Sequence, residues 1–248
     1  MGLPVTGRRK STENLWNHRL TVILTETQSP NSGPRRLGQD PDMVVLHHTA
    51  MQSAEAAIAR LCDPAFEVSA HYVIAENGAV TRLVPEDLRA WHAGAGQWGK
   101  VVDVNSHSIG IELANAGPLV DFPPFAAAQM DALEVLLAGI MARHNIRAER
   151  VIAHSDMAPG RKADPGAKFD WQRLANAGLS IWPEAKGDPD ADFLTSAKAF
   201  GYPDTPDTLA AFRLRFCPIA TGPESAMDRA IIDALAKRWP VDASLGTA

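Results

Sequence analysis

Two short apolar runs that each end in a histidine constrain this chain more than any other feature of its sequence. Residues 43–46 (MVVL) are followed by His47 and His48, and residues 151–153 (VIA) are followed by His154. Short continuous apolar runs favour strands that are buried on both faces of a sheet. A side chain where such a strand ends can point into the crevice at the sheet edge. The sequence therefore predicts two histidines at one edge of a buried sheet.

The remaining pattern favours an α/β fold with one mixed central sheet flanked by helices. Two β-rich runs at 71–75 and 80–84 flank an Asn-Gly pair, which supplies the positive φ angles of a tight hairpin turn. Residues 108–113 (SIGIEL) indicate another strand. A helix is expected over about 53–61, and apolar residues at helical spacing predict an amphipathic helix over about 125–144.

The chain divides into three parts. Residues 1–40 are rich in Pro, Gly, Ser and Arg without a sustained period, which predicts an irregular lead-in that packs on the domain. Residues 41–183 would form the α/β domain. After a linker-like stretch, residues 188–240 carry three short helical patterns, enough for a small three-helix bundle. In the second pattern Thr205 is expected to be the N-cap, with Pro206 at the first helical position.

Charge and hydropathy argue against two classes of partner. The 248 residues carry a formal net charge of -5, and a nucleic-acid backbone requires a basic footprint. No run approaches the roughly 20 apolar residues of a membrane-spanning helix.

The basic N-terminus has no apolar stretch behind it, so a cytoplasmic location is expected, with the periplasm as the alternative if a signal has been removed. Cys62 and Cys217 share no short spacing and are expected to be free thiols.

The two histidines and the loop after the second are suited to bind a metal. Residues 155–166 form a loop punctuated by Pro and Gly and rich in ionisable side chains, and such loops on a rigid scaffold carry function. Catalytic zinc takes three protein ligands, often two histidines and a carboxylate, and leaves one position for water. No HExxH motif is present, which excludes the helical metalloprotease arrangement. Spacing alone only suggests a zinc site.

Five sequence blocks lie in order between residues 43 and 182: VVLHHTA, VSAHYVI with the NG that follows it, AWHAG, SIGIEL and AHSDMAPGRKADPG. Together they resemble the type 2 N-acetylmuramoyl-L-alanine amidases, a superfamily that includes T7-type lysozyme and the peptidoglycan recognition proteins. One block would be a weak signal, whereas five in sequence order are specific. In the C-terminal part, FGYPD and LAAFRLRF resemble the peptidoglycan-binding bundle of the AmiD-like branch of this family.

The resemblance implies a peptidoglycan recognition protein-like fold and a zinc site. His47, His154 and Asp164 match the three zinc ligands. His48 would support a ligand from behind or be structural, because consecutive strand residues point to opposite faces. Two nitrogens and a carboxylate would also bind cobalt or nickel, so the chemistry of the ligands leaves the metal open.

The resemblance also implies two catalytic residues. Glu112 in SIGIEL matches the glutamate that takes a proton from water and returns it to the leaving amine. Lys162 matches the lysine that faces the developing oxyanion. Without the motifs, Glu112 would be a surface glutamate and Lys162 a solvated loop residue. Some relatives carry a catalytic tyrosine where this chain has Ala70, so proton transfer depends on Glu112.

Three further residues are candidates for substrate binding. Trp91 offers a flat apolar face for sugar or stem peptide, and His92 beside it would line the groove. Arg161 is placed to pair with a stem-peptide carboxylate in bidentate fashion. A structural role is the alternative for each of them.

The implied reaction is zinc-dependent hydrolysis of the amide between the lactyl group of N-acetylmuramic acid and L-alanine. A cytoplasmic enzyme would meet soluble 1,6-anhydro-muropeptides during cell-wall recycling, whereas a periplasmic one would meet the intact sacculus. We expect the first. The alternatives are a module that recognises peptidoglycan without cleaving it, a periplasmic amidase, and a C-terminal bundle that docks a protein rather than glycan strands.

Overall fold

A six-stranded mixed sheet organises the part of the chain that the computed structural model describes, residues 24–183 and 187–242. The strands are β1 (Leu24–Glu26), β2 (Ser32–Pro34), β3 (Met43–His48), β4 (Tyr72–Ile74), β5 (Val80–Arg82), β6 (Leu88–Ala90), β7 (Ser108–Leu113) and β8 (Val151–Ala153). The sheet has the order β1-β5-β4-β7-β3-β8, and β2 pairs separately with β6. Every neighbouring pair in the large sheet is parallel except β4 and β5, which form the predicted hairpin.

The helices of the described residues lie between and after these strands. They are α1 (Ala54–Leu61), α2 (Val104–His107), α3 (Ala127–His144), α4 (His154–Met157), α5 (Trp171–Asn176), α6 (Phe193–Phe200), α7 (Thr208–Phe216) and α8 (Ala226–Arg238). α1 and α3 confirm the two helices predicted before residue 150. α1 begins after Ser53, whose hydroxyl accepts a hydrogen bond from the Ala56 amide. None of these helices is long and apolar enough to cross a bilayer.

The two faces of the sheet are covered by different layers. Side chains alternate along β3, so Val44 and Leu46 pack in the core beneath α3, while Met43 and Val45 pack with the C-terminal helices. The predicted α/β class with helices flanking a mixed sheet is confirmed. His47 continues the alternation of Met43 and Val45, and therefore lies on the face that the C-terminal helices partly cover.

The three predicted C-terminal helices are present, and they share a core with the sheet. Phe200 of α6, Phe212 of α7 and Ile232 of α8 belong to the same buried cluster as Val45 and Ile152 of the sheet. The apolar sides of these helices are therefore buried against one another and against the α/β domain. Cys62 and Cys217 are free thiols, as expected.

Two local predictions are wrong. The second C-terminal helix begins at Thr208, not after Thr205, because Thr205 and Thr208 bond to each other in a turn that precedes the helix. Residues 24–40 are not wholly irregular, since β1 joins the edge of the large sheet and β2 pairs with β6. Three-residue strands are too short to show a periodicity in sequence. Residues 1–23, the rest of the predicted lead-in, lie outside the described residues.

Candidate metal and catalytic site

The ends of three parallel strands position the candidate residues. In the sheet register His47 on β3 lies opposite Glu112 on β7, and Leu46 lies opposite Ala153 on β8, immediately before His154. Neighbouring residues in register point to the same face of a sheet. The predicted meeting of two strand-terminal histidines at one edge is confirmed, and Glu112 joins them there.

His47, His154 and Asp164 converge on one point. Nδ1 of His47 lies 2.8 Å from Nδ1 of His154, and Oδ2 of Asp164 lies 3.1 Å from the first nitrogen and 3.0 Å from the second. All three side chains are buried. Asp164 reaches the histidines from the loop after α4, whose path is fixed by a hydrogen bond from the Ser155 amide to the Asp164 carbonyl. Within the described ranges they form a group that could hold a metal ion.

The hydrogen bonds behind His47 fix which of its ring nitrogens carries a proton. Ser108 donates its only hydroxyl proton to the Val104 carbonyl at 2.6 Å, so Nε2 of His92 must donate to the Ser108 oxygen at 3.3 Å. Nδ1 of His92 is then an acceptor, and it receives the proton on Nε2 of His47 at 3.0 Å. Nδ1 of His47 is left with a lone pair. Burial and the neighbouring His154 also lower the pKa of His47 to about 4, which keeps its ring neutral at neutral pH.

A hydrogen bond fixes the tautomer of His154 in the same way. Its Nε2 lies 2.9 Å from the carbonyl oxygen of Ala93 and must donate to it, so its Nδ1 also carries a lone pair. With Oδ2 of Asp164, three acceptor atoms face one another and no proton lies between them. A cation between them would relieve the repulsion of these lone pairs, and two neutral imidazoles with one carboxylate are a donor set of catalytic zinc. The residues present therefore fit a divalent metal.

Glu112 adds a carboxyl group with an unusual environment. Its Oε2 is buried and has no hydrogen-bond partner among the residues that the structure describes. Burial and the Asp164 carboxylate raise the pKa of Glu112 to about 8, against the opposing charge of Lys162. A carboxyl group that titrates near neutrality and has a free oxygen is suited to accept a proton and return it.

A cavity of about 320 Å³ opens beside these groups. Of the residues predicted to act on substrate, Trp91, His92, Glu112 and Lys162 line it. Lys162 is exposed, and within the described residues it forms no ion pair. Its ammonium is therefore available to a ligand in the cavity.

Of the predicted substrate-binding residues, Arg161 lies outside the cavity lining, and His92 lies in the lining but is held by other protein groups. Arg161 is not among the residues that line the cavity, because its Nη2 donates to the Ala93 carbonyl at 2.6 Å. His92 lines the cavity, but both of its ring nitrogens are bonded to protein, to His47 and Ser108. That placement favours a role in orienting His47.

Two other residues of the motif blocks, His48 and Tyr72, are not part of the metal group. The ring of His48 packs beside Phe122, with 6.0 Å between ring centroids. Tyr72, two residues after Ala70, donates its hydroxyl to Glu86 at 2.7 Å and packs in the core beneath α3.

The sequence did not identify the groups that hold the ligands in place. Ser108 orients His92, and the Ala93 carbonyl orients His154. Asp156 is fully buried beside the turn that carries His154. All three lie inside the motif blocks, which is the signal that could have drawn attention to them. Their partners could not be read from the sequence, because those partners come from strands and helices that are distant along the chain.

Comparison with known proteins agrees with this geometry. Residues 37–167 match the family model described as N-acetylmuramoyl-L-alanine amidase. The chain is 35% identical to the N-acetylmuramoyl-L-alanine amidase AmiD of Escherichia coli, over 81% of this chain and 84% of that protein. It is 32% identical to the 1,6-anhydro-N-acetylmuramyl-L-alanine amidase AmpD of Enterobacter cloacae, over 65% of this chain and 91% of that one.

Two solved structures are similar over most of the chain. A complex of Escherichia coli AmiD with the substrate anhydro-N-acetylmuramic acid-L-Ala-D-gamma-Glu-L-Lys has a TM-score of 0.72 and 34% identity, covering 86% of this chain and 93% of that one. A complex of AmpDh3 from Pseudomonas aeruginosa with anhydromuramic pentapeptide has a TM-score of 0.71 and 29% identity, covering 97% and 99%. The chain belongs to the N-acetylmuramoyl-L-alanine amidase family, which confirms the resemblance and the predicted enzyme class.

Proposed function

We propose that this protein uses zinc, held by His47, His154 and Asp164, to hydrolyse the amide between the lactyl group of N-acetylmuramic acid and L-alanine in 1,6-anhydro-muropeptides. The observation that carries the proposal is the convergence of three lone pairs beside the unpartnered carboxyl of Glu112. The AmpD relative is named for this bond in anhydro-muropeptides, and both similar structures hold anhydromuramyl peptides. This substrate would place the enzyme in cell-wall recycling.

The side chains around the cavity divide the chemistry between them. Zinc at this position would polarise the amide carbonyl and acidify a water molecule. Glu112 takes the proton of the attacking water at its free oxygen and delivers it to the leaving amine. Lys162 approaches the carbonyl oxygen and stabilises the negative charge that develops there.

The remaining site residues hold the substrate or the ligands. The half-buried indole of Trp91 offers a flat surface to sugar or peptide. His92 keeps the Nδ1 lone pair of His47 directed at the metal. Arg161 would bind a stem-peptide carboxylate only by exchanging its bond to the Ala93 carbonyl.

Hydrolysis by the full chain tests this proposal. Purified anhydro-muropeptide and intact sacculi are incubated separately with the zinc-loaded protein, and released peptides are identified by mass spectrometry. We expect cleavage of the anhydro-muropeptide to be the faster reaction. Asp164→Ala should abolish cleavage and remove bound zinc, whereas Asp40→Ala, which changes an exposed aspartate, should do neither.

The alternatives correspond to different results of the same assay. Binding of muropeptide without release of peptide would favour a recognition module. Faster cleavage of sacculi than of anhydro-muropeptide would favour an amidase that acts on the intact wall. A cytoplasmic location stays a prediction, and cell fractionation with an antibody against the protein tests it directly.

Glycan binding by the C-terminal helices is a second proposal. Its support is the resemblance of FGYPD and LAAFRLRF to a peptidoglycan-binding bundle, together with a groove lined by Trp182 and Trp239. The full chain is the proper material, because these helices share their core with the sheet. We expect Trp239→Ala to reduce co-sedimentation with sacculi, and Ile219→Ala, which changes an exposed isoleucine, to leave it unchanged. Equal sedimentation of both variants would contradict glycan binding.

A further inference from the structure

We infer that Tyr202 and Arg215, from the C-terminal part, are positioning residues that hold the ligand turn of His154 in place through the buried carboxylate of Asp156. The inference rests on the proposed role of His154 as a metal ligand. It gives the C-terminal helices a function inside the active site, separate from binding glycan or a protein partner.

Asp156 connects the turn that carries His154 to Tyr202, just after α6, and to Arg215 on α7. It lies two residues after His154 and is fully buried. Its Oδ2 accepts the Ala153 amide at 2.9 Å, which closes the turn that carries His154. The same oxygen accepts Nη1 of Arg215 at 2.7 Å, and Oδ1 accepts the Tyr202 hydroxyl at 2.6 Å. One carboxylate therefore bonds to the backbone of the ligand turn and to two side chains of the C-terminal part.

Arg215 holds the ligand segment at both of its ends. Besides Asp156, its guanidinium donates to the Val151 carbonyl at 3.1 Å, where β8 begins, and to the Ser180 hydroxyl at 3.2 Å. Its charged group also lies 4.2 Å from the ring centroid of Trp171. A fully buried ion pair gains little net stability because both ions lose their hydration. What this pair provides is a fixed geometry for the short strand and turn between Val151 and Asp156.

The loop that carries Lys162 and Asp164 also lies against the C-terminal part. Gly160 has a φ of 74°, and a Cβ atom at this position would overlap the carboxylate of Asp207, just before α7. This close approach leaves no room for a side chain between the loop and the helix. The C-terminal helices therefore contact the loop ahead of Lys162 and Asp164 as well as the turn of His154.

A second buried ion pair provides a matched control. Arg213 donates to Asp228 through Nε at 3.1 Å and Nη2 at 2.6 Å, and Asp228 also accepts the Ser225 amide at 2.8 Å. This network has the same chemistry as that of Asp156: a buried arginine, a carboxylate and a helix N-terminus. It lies wholly within the C-terminal part, and none of its hydrogen bonds reaches the metal group. Its loss should affect stability without affecting the ligands.

The experiment compares Asp156→Asn and Tyr202→Phe with Asp228→Asn in the full chain. Zinc affinity is measured by competition with a chelator, the stability of the metal-free protein by thermal unfolding, and hydrolysis as kcat and KM. We expect Asp156→Asn and Tyr202→Phe each to weaken zinc binding by about 10-fold or more and to lower kcat with little change in KM. Asp228→Asn should lower the melting temperature but keep zinc affinity within about twofold of the parent, since its network makes no hydrogen bond to the candidate ligands or to Asp156.

Two results would overturn the inference. One is zinc affinity that falls in all three variants in proportion to lost stability; the other is parental zinc affinity in both Asp156→Asn and Tyr202→Phe. Tyr202→Phe keeps the ring packed and removes only one hydroxyl. Its zinc affinity therefore tests the inference if Asp156→Asn does not fold. A parent chain that binds no zinc would overturn the proposed function together with this inference. A parent that binds zinc and hydrolyses muropeptide confines any failure to the inference.

Discussion

At the scale of single residues, the proton of Ser108 determines that Nδ1 of His47 carries the lone pair that faces His154 and Asp164. Ser108→Ala removes the acceptor of His92 Nε2, so His92 no longer has to accept the proton of His47. We expect zinc to bind about 10-fold more weakly, as is usual when a group behind a ligand is lost, and chelator competition measures this. Ser106→Ala is the control, since the Ser106 hydroxyl donates to Asp103 and not to the histidines. Parental affinity in Ser108→Ala would contradict the tautomer assignment.

The buried carboxyl of Glu112 should make the metal-free protein less stable as pH rises. Its pKa is about 8 in the folded chain and near 4.5 when exposed. Between these values the unfolded chain binds fewer protons than the folded one, so the free energy of unfolding falls with rising pH until the folded group also ionises. Glu112→Gln removes this penalty. We expect the metal-free variant to melt higher than the parent at pH 8 and equally at pH 4.

The matched control for Glu112→Gln is Glu76→Gln, which changes an exposed glutamate in the hairpin turn. It should melt like the parent at both pH values. If the parent melts at least as high as Glu112→Gln at pH 8, the carboxyl is not held in its neutral form. With zinc bound, Glu112→Gln should also lower kcat by about 100-fold to 10,000-fold, the usual contribution of general acid–base catalysis.

The candidate ligands could be predicted from the sequence, whereas the residues that orient them could not. His47 and His154 each follow a short apolar run, and Asp164 lies in a motif block, so each carries a local signal. The function of Ser108 depends on β7 lying beside the segment of His92. Asp156 likewise depends on a helix that begins about fifty residues later in the chain. Contacts of this kind arise from tertiary packing, which periodicity does not report.

At the scale of secondary structure, Gly110 keeps open the space on β7 that the ring of His92 fills. A Cβ atom at position 110 would overlap that ring. We expect Gly110→Ala to displace His92, to weaken zinc binding by about 10-fold or more and to destabilise the protein by about 1–3 kcal/mol. Urea denaturation and chelator competition measure the two effects. Unchanged zinc affinity would show that the ring tolerates the methyl group.

Gly139→Ala is the matched substitution on a helix. A Cβ atom there would lie 3.0 Å from Nη1 of Arg143, the far end of a flexible side chain. Alanine loses less conformational entropy than glycine when a helix forms, so Gly139→Ala should stabilise the protein by about 0.5–1 kcal/mol and leave zinc affinity unchanged. The same substitution is therefore expected to have opposite effects on stability in β7 and α3.

The elements that the sequence predicted are those whose pattern is local. The hairpin of β4 and β5 surrounds an Asn-Gly turn, and α3 buries Met130, Leu133, Leu137 and Ile140 at helical spacing. β1, β2 and β6 have three residues each, and their existence depends on the strands with which they pair. Unlike VIA of β8, the residues LTE, SGP and LRA of these strands form no continuous apolar run that would indicate a strand.

At the scale of the whole molecule, the sequence suggested a separate C-terminal bundle, but the buried core is continuous. Met43 and Val45 of β3 belong to the same cluster as Phe200, Phe212 and Leu235 of the C-terminal helices. Without the C-terminal helices, this apolar face of the sheet would be exposed to water. Each Å² of apolar surface that becomes exposed costs about 25 cal/mol. The sheet and the C-terminal helices are therefore expected to stabilise each other.

Calorimetry of the metal-free full chain tests this coupling. We expect one unfolding transition whose calorimetric and van't Hoff enthalpies agree, because the shared core makes the α/β domain and the helices a single cooperative unit. A chain that ends at residue 183 should melt at a lower temperature and aggregate more readily, since it exposes Met43, Val45 and Ile152 on one face. Two resolved transitions in the full chain, the upper one matching that of the shortened chain, would show instead that the C-terminal helices fold independently of the sheet.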